Sequence, residues 1–326
     1  MMKTRLFILC VLLAHSASLS AFACGGGPTP LESIPELRIK EITYATRRQL
    51  PTDIENLINT YLNNTYTAVI TQSDNVCGFT SDGPIVCWGD NQFGQNRVPA
   101  GRYIQVAVGR DHICGLRADH SIKCWGDNRH SQSISVPAGR YIQVAAGEYN
   151  TCGLRSNGSI VCWGSYLQTE EPAGAYTQVT VGRDHICGLR YNGSINCWSN
   201  LSNYNTDIHA PAGYFTQVRA ASSNTCGVRI DGAIVCWGDN TYGQTNVPPG
   251  HYTQVAVGFS HSCGLKSDGT IACWGWNKYR QTNVPPGHYT QVAVGFGHSC
   301  GLKSDGTITC WGRNTYGQTN VPSLLD

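Results

Sequence analysis

The sequence predicts an all-β fold, a ring of seven blades, and three observations lead there. Fourteen of the sixteen cysteines form seven pairs, each ten residues apart: Cys77/Cys87, Cys114/Cys124, Cys152/Cys162, Cys187/Cys197, Cys226/Cys236, Cys263/Cys273 and Cys300/Cys310. Successive pairs begin 37, 38, 35, 39, 37 and 37 residues on, and a Trp follows every second cysteine. An aromatic stands eleven residues before each first cysteine, at Tyr66, Tyr103, Tyr141, Tyr176, Phe215, Tyr252 and Tyr289. A fixed period of this size marks a repeat architecture.

Within one unit, residues 252–257 alternate as a strand that Gly258 ends. Residues 261–266 and 270–274 follow, split by Ser267-Asp268-Gly269, and Pro285-Pro286-Gly287 closes the unit. Four short strands per unit suit a propeller, whose blades protect one another's edges; a linear β-solenoid is the alternative. If Gly269 is left-handed in a three-residue loop, the facing pairs are 266/270, 265/271, 264/272 and 263/273. The two cysteines then lie directly opposite, close enough for a disulfide, and all seven pairs share this register. Reduced core cysteines compete with that reading, as does a metal site. The chain has no C-x-x-C, however, and two ligands per blade make a poor zinc site. Structural disulfides are therefore expected, each worth roughly 2–3 kcal/mol in the chain-entropy model and persisting in an oxidising compartment.

Residues 1–23 carry Lys3 and Arg5, an apolar run from Leu6 to Leu13 and a small-residue end, Ala21-Phe22-Ala23. That is the layout of a secretory signal peptide, with an apolar run too short to span a bilayer. The expected location is outside the cytoplasm: periplasmic, outer-membrane-anchored or extracellular. Cys24, followed by Gly25-Gly26-Gly27-Pro28, resembles a lipidated bacterial lipoprotein cysteine, although Phe22 departs from that pattern; ordinary cleavage after Ala23 is the other reading. Residues 24–65 read as a tether and one amphipathic helix. Thr52-Asp53-Ile54-Glu55 is a capping box, and Ile54, Leu57, Ile58, Tyr61 and Leu62 recur at helical spacing. The propeller is expected to occupy residues 66–326.

Beyond residue 23 the cations and acids balance, and only 13% of the chain is charged. Such a surface lacks the basic footprint of a nucleic-acid binder, and 41% hydrophobic content is too much for a disordered chain.

The stretch V-A-V-G-F-S-H-S-C-G-L-K-S-D-G-T-I-A-C-W-G-W-N at residues 255–277, with Y-G-Q-T-N-V-P at 242–248, resembles the RCC1 (regulator of chromosome condensation) repeat. In style it is most similar to the secreted bacterial branch typified by beta-lactamase inhibitory protein II. The resemblance runs from residue 66 to 322 and implies a seven-bladed propeller whose rim loops contact a partner protein. The paired cysteines depart from the family pattern. So do Ser199 and the missing G-Q in unit four, and Tyr166-Leu167-Gln168 in unit three.

No G-x-x-x-x-G-K or H-E-x-x-H occurs, and no catalytic residue, metal or cofactor is expected. His112, His185, His261 and His298 share one repeat position with Asn75, Asn150 and Asn224. That exchange fits a structural hydrogen-bonding slot better than a ring of metal ligands. The Trp after each second cysteine should pack between blades, which makes Trp276, outside that slot, the informative one. Two loop sets should emerge on one face. The G-x-x-H loops carry Arg110, Asp111, Glu148, Tyr149, Arg183, Asp184, Phe259 and Phe296. The loops after W-G carry Phe93, Arg129, Tyr166, Tyr242, Trp276, Lys278, Tyr279, Arg313 and Tyr316. Aromatics and Arg are enriched at interface hot spots, though they also shield loop backbone. The expectation is an exported, non-enzymatic, monomeric protein that grips a protein partner, as an inhibitor or a surface-interaction protein. A guanine-nucleotide exchange factor for a small GTPase and a carbohydrate-binding lectin are the alternatives. Nucleic acid is not expected as a partner, and a membrane only through a lipid on Cys24.

Overall fold

The computed structural model describes residues 65–165, 173–199 and 209–324. The signal-peptide, Cys24 and helix readings lie outside the described residues, as does Tyr166. The described strands form seven antiparallel sheets of three strands, each sheet one repeat unit. The first strands are Tyr66–Gln72, Tyr103–Val108, Tyr141–Ala146, Tyr176–Val181, Phe215–Ala221, Tyr252–Val257 and Tyr289–Val294. They contact the first strands of both neighbouring blades and so surround the axis of the ring, with second and third strands following outward.

Each hairpin has the register its turn requires. In blade six Cys263 faces Cys273, Gly264 faces Ala272 and Leu265 faces Ile271, with Gly269 at φ +82°. The expected pairing holds in all seven blades. The bridges are Cys77–Cys87, Cys114–Cys124, Cys152–Cys162, Cys187–Cys197, Cys226–Cys236, Cys263–Cys273 and Cys300–Cys310, with Cα atoms 4.0–4.1 Å apart. These bonds exclude the reduced-core and metal-ligand readings of the pairs.

The two ends differ in burial in six of the seven bridges, a difference that the sequence reading of matched pairs did not anticipate. Every first cysteine is fully buried. The second is only partly buried at Cys87, Cys162, Cys197, Cys236, Cys273 and Cys310, whereas Cys124 is buried. The cause is position in the blade. First cysteines lie on the middle strand, which packs against the first strand of the next blade. Second cysteines lie on the third strand, the outer edge of a sheet with no fourth strand to cover it among the described residues. Each disulfide thus ties the outer strand to the core.

The glycine after each first cysteine has a steric cause. A Cβ on Gly264 would collide with the Tyr252 ring, and the same clash recurs at Gly115, Gly153 and Gly301 with their own blade's tyrosine.

The fourth strand is a correction: among the described residues each blade has three strands. Beyond W-G the described chain closes into compact loops whose polar side chains satisfy the backbone locally. In blade one, Gln95 Oε1 accepts from Phe93 N at 2.8 Å and Asn91 Oδ1 accepts from Asn96 N at 2.9 Å, so no edge pairing is needed. Gln95 is fully buried, as are Gln132, Gln244, Gln281 and Gln318 at the same position.

Inter-blade links are polar and repeated. The indole N–H donates to the preceding blade's Gln carbonyl, as in Trp125 to Gln95 (2.7 Å), Trp163 to Gln132 (3.0 Å) and Trp311 to Gln281 (2.8 Å). Tyrosine hydroxyls donate to proline carbonyls, as in Tyr252 to Pro248 at 2.9 Å. The inner-strand glutamine accepts from the next blade's valine N–H, as in Gln105 from Val144 at 3.0 Å. Blade seven meets blade one through all three: Trp88 to Gln318 (3.1 Å), Tyr66 to Pro322 (3.1 Å) and Val69 N to Gln291 (2.9 Å). The ring is thus closed, which excludes the solenoid. Blade one has Ala68 where other blades have glutamine, so its junction with blade two lacks that one bond.

The buried histidines fill the slot between blades. His112 contacts Thr151 Oγ1 at 2.8 Å, His185 contacts Thr225 at 2.5 Å, His261 contacts Ser299 at 2.9 Å and His298 contacts Thr71 at 2.7 Å. Burial lowers their pKa from 6.5 to about 4 for His112 and His185, and to about 3 for His261 and His298. Each imidazole is therefore neutral and serves as a link to the next blade.

Candidate partner-binding face

The two predicted loop sets do share one face. Backbone hydrogen bonds join them: Asp127 N to Asp111 O at 2.8 Å, Trp276 N to Ser260 O at 2.9 Å, and Arg313 N to Gly297 O at 2.8 Å. The D-G turns lie at the other end of the strands.

On this face the expected residues separate into two groups. Blades two to four hold the charged group. Arg110 lies 3.3 Å from Glu148 and 3.6 Å from Asp111, and donates to the Tyr149 hydroxyl at 2.9 Å. Arg183 lies 3.5 Å from Asp184 and 3.7 Å from Glu148. Burial raises the pKa of Asp111 and Asp184, with Arg110 and Arg183 opposing it. Arg129 pairs with Asp127 at 3.0 Å and lies over the Phe93 ring at 4.5 Å. These cations and carboxylates already satisfy one another.

Blades five to seven hold the aromatic group. Trp276 is its centre, with ring centroids 5.9 Å from Tyr242, 5.3 Å from Tyr279 and 6.3 Å from Phe296; Phe296 lies 5.1 Å from Phe259. Arg313 lies 5.5 Å from both the Phe296 and Tyr316 rings and pairs with Asp74 at 3.2 Å, a partner absent from the sequence-predicted set. Lys278 stands over Tyr279 at 5.8 Å. Tyr242 is 51% exposed and Tyr316 41%, so the cluster faces outward.

Blade six departs from its siblings in a way sequence reading missed. Blades one, two and five have Asp90, Asp127 and Asp239 where it has Trp276. Those carboxylates receive the buried glutamine amide, as Asp239 does from Gln244 at 2.8 Å and Asp127 from Gln132 at 3.1 Å. With Trp276 in that place, Gln281 Nε2 is buried without a partner. Such an orphaned donor costs about 1–3 kcal/mol. Further along the same loop, Arg280 adopts φ +62° where Gly94, Gly243 and Gly317 stand in blades one, five and seven, a conformation unfavourable for a side chain that blade two's smaller Ser131 also adopts at φ +59°.

Fold and face together define a tandem-repeat seven-bladed β-propeller with each hairpin clipped by its own disulfide. The chain belongs to the RCC1-repeat family: residues 103–132, 141–165, 215–244, 252–281 and 289–318 match the "Regulator of chromosome condensation (RCC1) repeat". Three solved structures share the fold. The entire ectodomain of the Physcomitrella patens receptor kinase CR4 is 24% identical, with TM-score 0.65, covering 75% of this chain and 72% of that one. The CRINKLY WD40 ectodomain of the Arabidopsis thaliana receptor kinase ACR4 is also 24% identical at TM-score 0.65, covering 78% and 98%. Prp20p from Saccharomyces cerevisiae, whose structure was described with its binding to Gsp1p and histones, is 17% identical at TM-score 0.62, covering 81% and 86%. No curated protein sequence matches the chain.

Proposed function

We propose that this chain is an exported, non-enzymatic binding protein that grips another protein with the aromatic half of its upper face. The observation that carries this reading is Trp276. It displaces a carboxylate that the fold uses elsewhere, strands Gln281 Nε2, and joins exposed Tyr242 and Tyr279 with half-buried Phe296 in one surface cluster. Local rules broken without local compensation are characteristic of functional positions. Large rigid aromatics beside Arg313 are the side chains from which hot spots are built. Seven disulfides suit an oxidising compartment, which favours an extracytoplasmic partner over a cytosolic GTPase.

The test is Trp276→Asp in the oxidised chain. The new carboxylate can receive the Gln281 amide, so thermal unfolding should move upward. Capture of the partner from the native envelope or medium, identified by comparison with wild type, should be lost. Retained capture by this variant and by Tyr279→Ala would refute the reading. Nucleotide exchange on a purified small GTPase and binding to a glycan array would each replace it with one of the alternatives.

A further inference from the structure

The seven inner strands carry a single charged residue, Arg219 in blade five. Its repeat position holds Ala107, Ala145, Ala256 and Ala293 in blades two, three, six and seven. Because these strands are the innermost layer, a long side chain at this position extends beside the axis of the ring. Arg219 is partly accessible, yet burial depresses its guanidinium pKa and no neighbouring charge contributes. Among the described residues its one hydrogen bond is to the adjacent Val218 carbonyl, at 3.1 Å.

The surroundings are rich in donors. Gln178 and Gln217 flank Arg219 on the inner strands and use their carbonyl oxygens to accept Val218 N at 3.0 Å and Val255 N at 2.8 Å. Their amide nitrogens donate no hydrogen bond among the described residues. The inner strands contain no Asp or Glu. On the upper face Asp74, Asp111, Glu148 and Asp184 are paired where they stand, with Arg313, Arg110 and Arg183. A guanidinium held away from bulk water without a counter-charge is costly, and a planar oxyanion satisfies its fork best.

From this placement we infer that the central channel of the propeller is a binding site for a small oxyanion, held by Arg219 with amide donors from Gln178 and Gln217. Phosphate, sulfate and a carboxylate share the chemistry. The site is independent of the aromatic face, so either reading can fail without the other.

The experiment titrates sodium phosphate into the full oxidised chain at constant ionic strength, balanced with chloride, followed by thermal unfolding and phosphorus NMR line width. Parallel titrations with sulfate and acetate rank the anions. The wild type should show a saturable rise of a few degrees, roughly what ligand excess over a millimolar dissociation constant provides. Arg219→Ala, which restores the residue of blades six and seven, should abolish that response and unfold no earlier than wild type without phosphate. Arg219→Lys, keeping the charge but losing the fork, should weaken binding about tenfold. No saturable response in wild type, or an equal one in Arg219→Ala, would overturn the inference. So would Arg219→Ala and Arg219→Gln both failing to fold, since the guanidinium would then be a strut.

Discussion

Blades two to four and blades five to seven use the same hairpin and the same disulfide, but they finish their upper loops differently. In the first group Arg110, Arg183 and Arg129 are matched by Glu148, Asp184 and Asp127. In the second, Trp276 and its ring neighbours stand where such pairs would be, and the loop below them contains an orphaned amide and a left-handed arginine. Half-exposed arginines over largely buried carboxylates present a satisfied surface. The aromatic group is locally unfavourable for the fold and leaves its rings outward. The contrast separates loops that complete the blade from loops selected for something beyond it.

The largest expected effect treats the two halves alike. Two of the four buried imidazoles lie in each group, and all have pKa values held below 6.5 by burial. The unfolded chain binds protons near pH 6.5 while the folded one does not. Stability is therefore full above that pH and is lost as pH falls through 4 toward 3. Each imidazole withdraws on the order of a few kcal/mol, and hydrogen exchange at pH 4 should show both halves loosening together. Protection lost from one half alone would mean that the imidazoles are not equivalent.

Binding should separate the halves. Trp276→Ala or Phe296→Ala is expected to cost about 2 kcal/mol or more of partner affinity by titration calorimetry, whereas Arg110→Ala or Arg183→Ala costs under about 1 kcal/mol. The reverse ranking would move the site to the charged half. Stability then sharpens the contrast in the opposite sense. Trp276→Asp combined with Arg280→Gly should gain about 1–2 kcal/mol in denaturant unfolding, because it supplies the missing acceptor and removes the positive-φ side chain. The smallest effect concerns the junction leading into the charged half. Ala68→Gln should add the absent link to Val106 and raise stability by roughly 0.5–1 kcal/mol, a gain readable as a shift of the urea midpoint.

Much of the fold was legible because its cause is local. The Ser267-Asp268-Gly269 turn sets the register, the register places Cys263 opposite Cys273, and the period repeats the result seven times. The shared face of the G-x-x-H and W-G loops followed from strand order alone. What escaped were partnerships between polar groups about one repeat apart. The sequence displays Gln244 and Trp274 without indicating that one carbonyl receives the other's indole N–H at 2.8 Å. For that reason four strands per unit were expected, although the segment after W-G is a loop closed by its own side chains. The unequal burial within six of the seven cystines escaped for the same reason, since a covering fourth strand would have hidden Cys87 or Cys310 as fully as Cys77 or Cys300. The halves of the face were likewise hidden, since Arg110 finds Glu148 across a blade boundary. Trp276 could be singled out by its position, but the cost it imposes became visible only with Gln281 buried beneath it.

The junction of blades seven and one consists of ordinary bonds, Trp88 to Gln318 and Tyr66 to Pro322, with no strand exchanged between them. The backbone therefore has no privileged starting point on the circle. A circular permutant starting at Gly250, with residue 324 joined to residue 65 by a brief linker, would leave every cystine inside its own hairpin and every neighbour relation unchanged. Such a molecule should refold oxidatively to the same ring. It would free the present ends for display at any connector without disturbing the opposite surface.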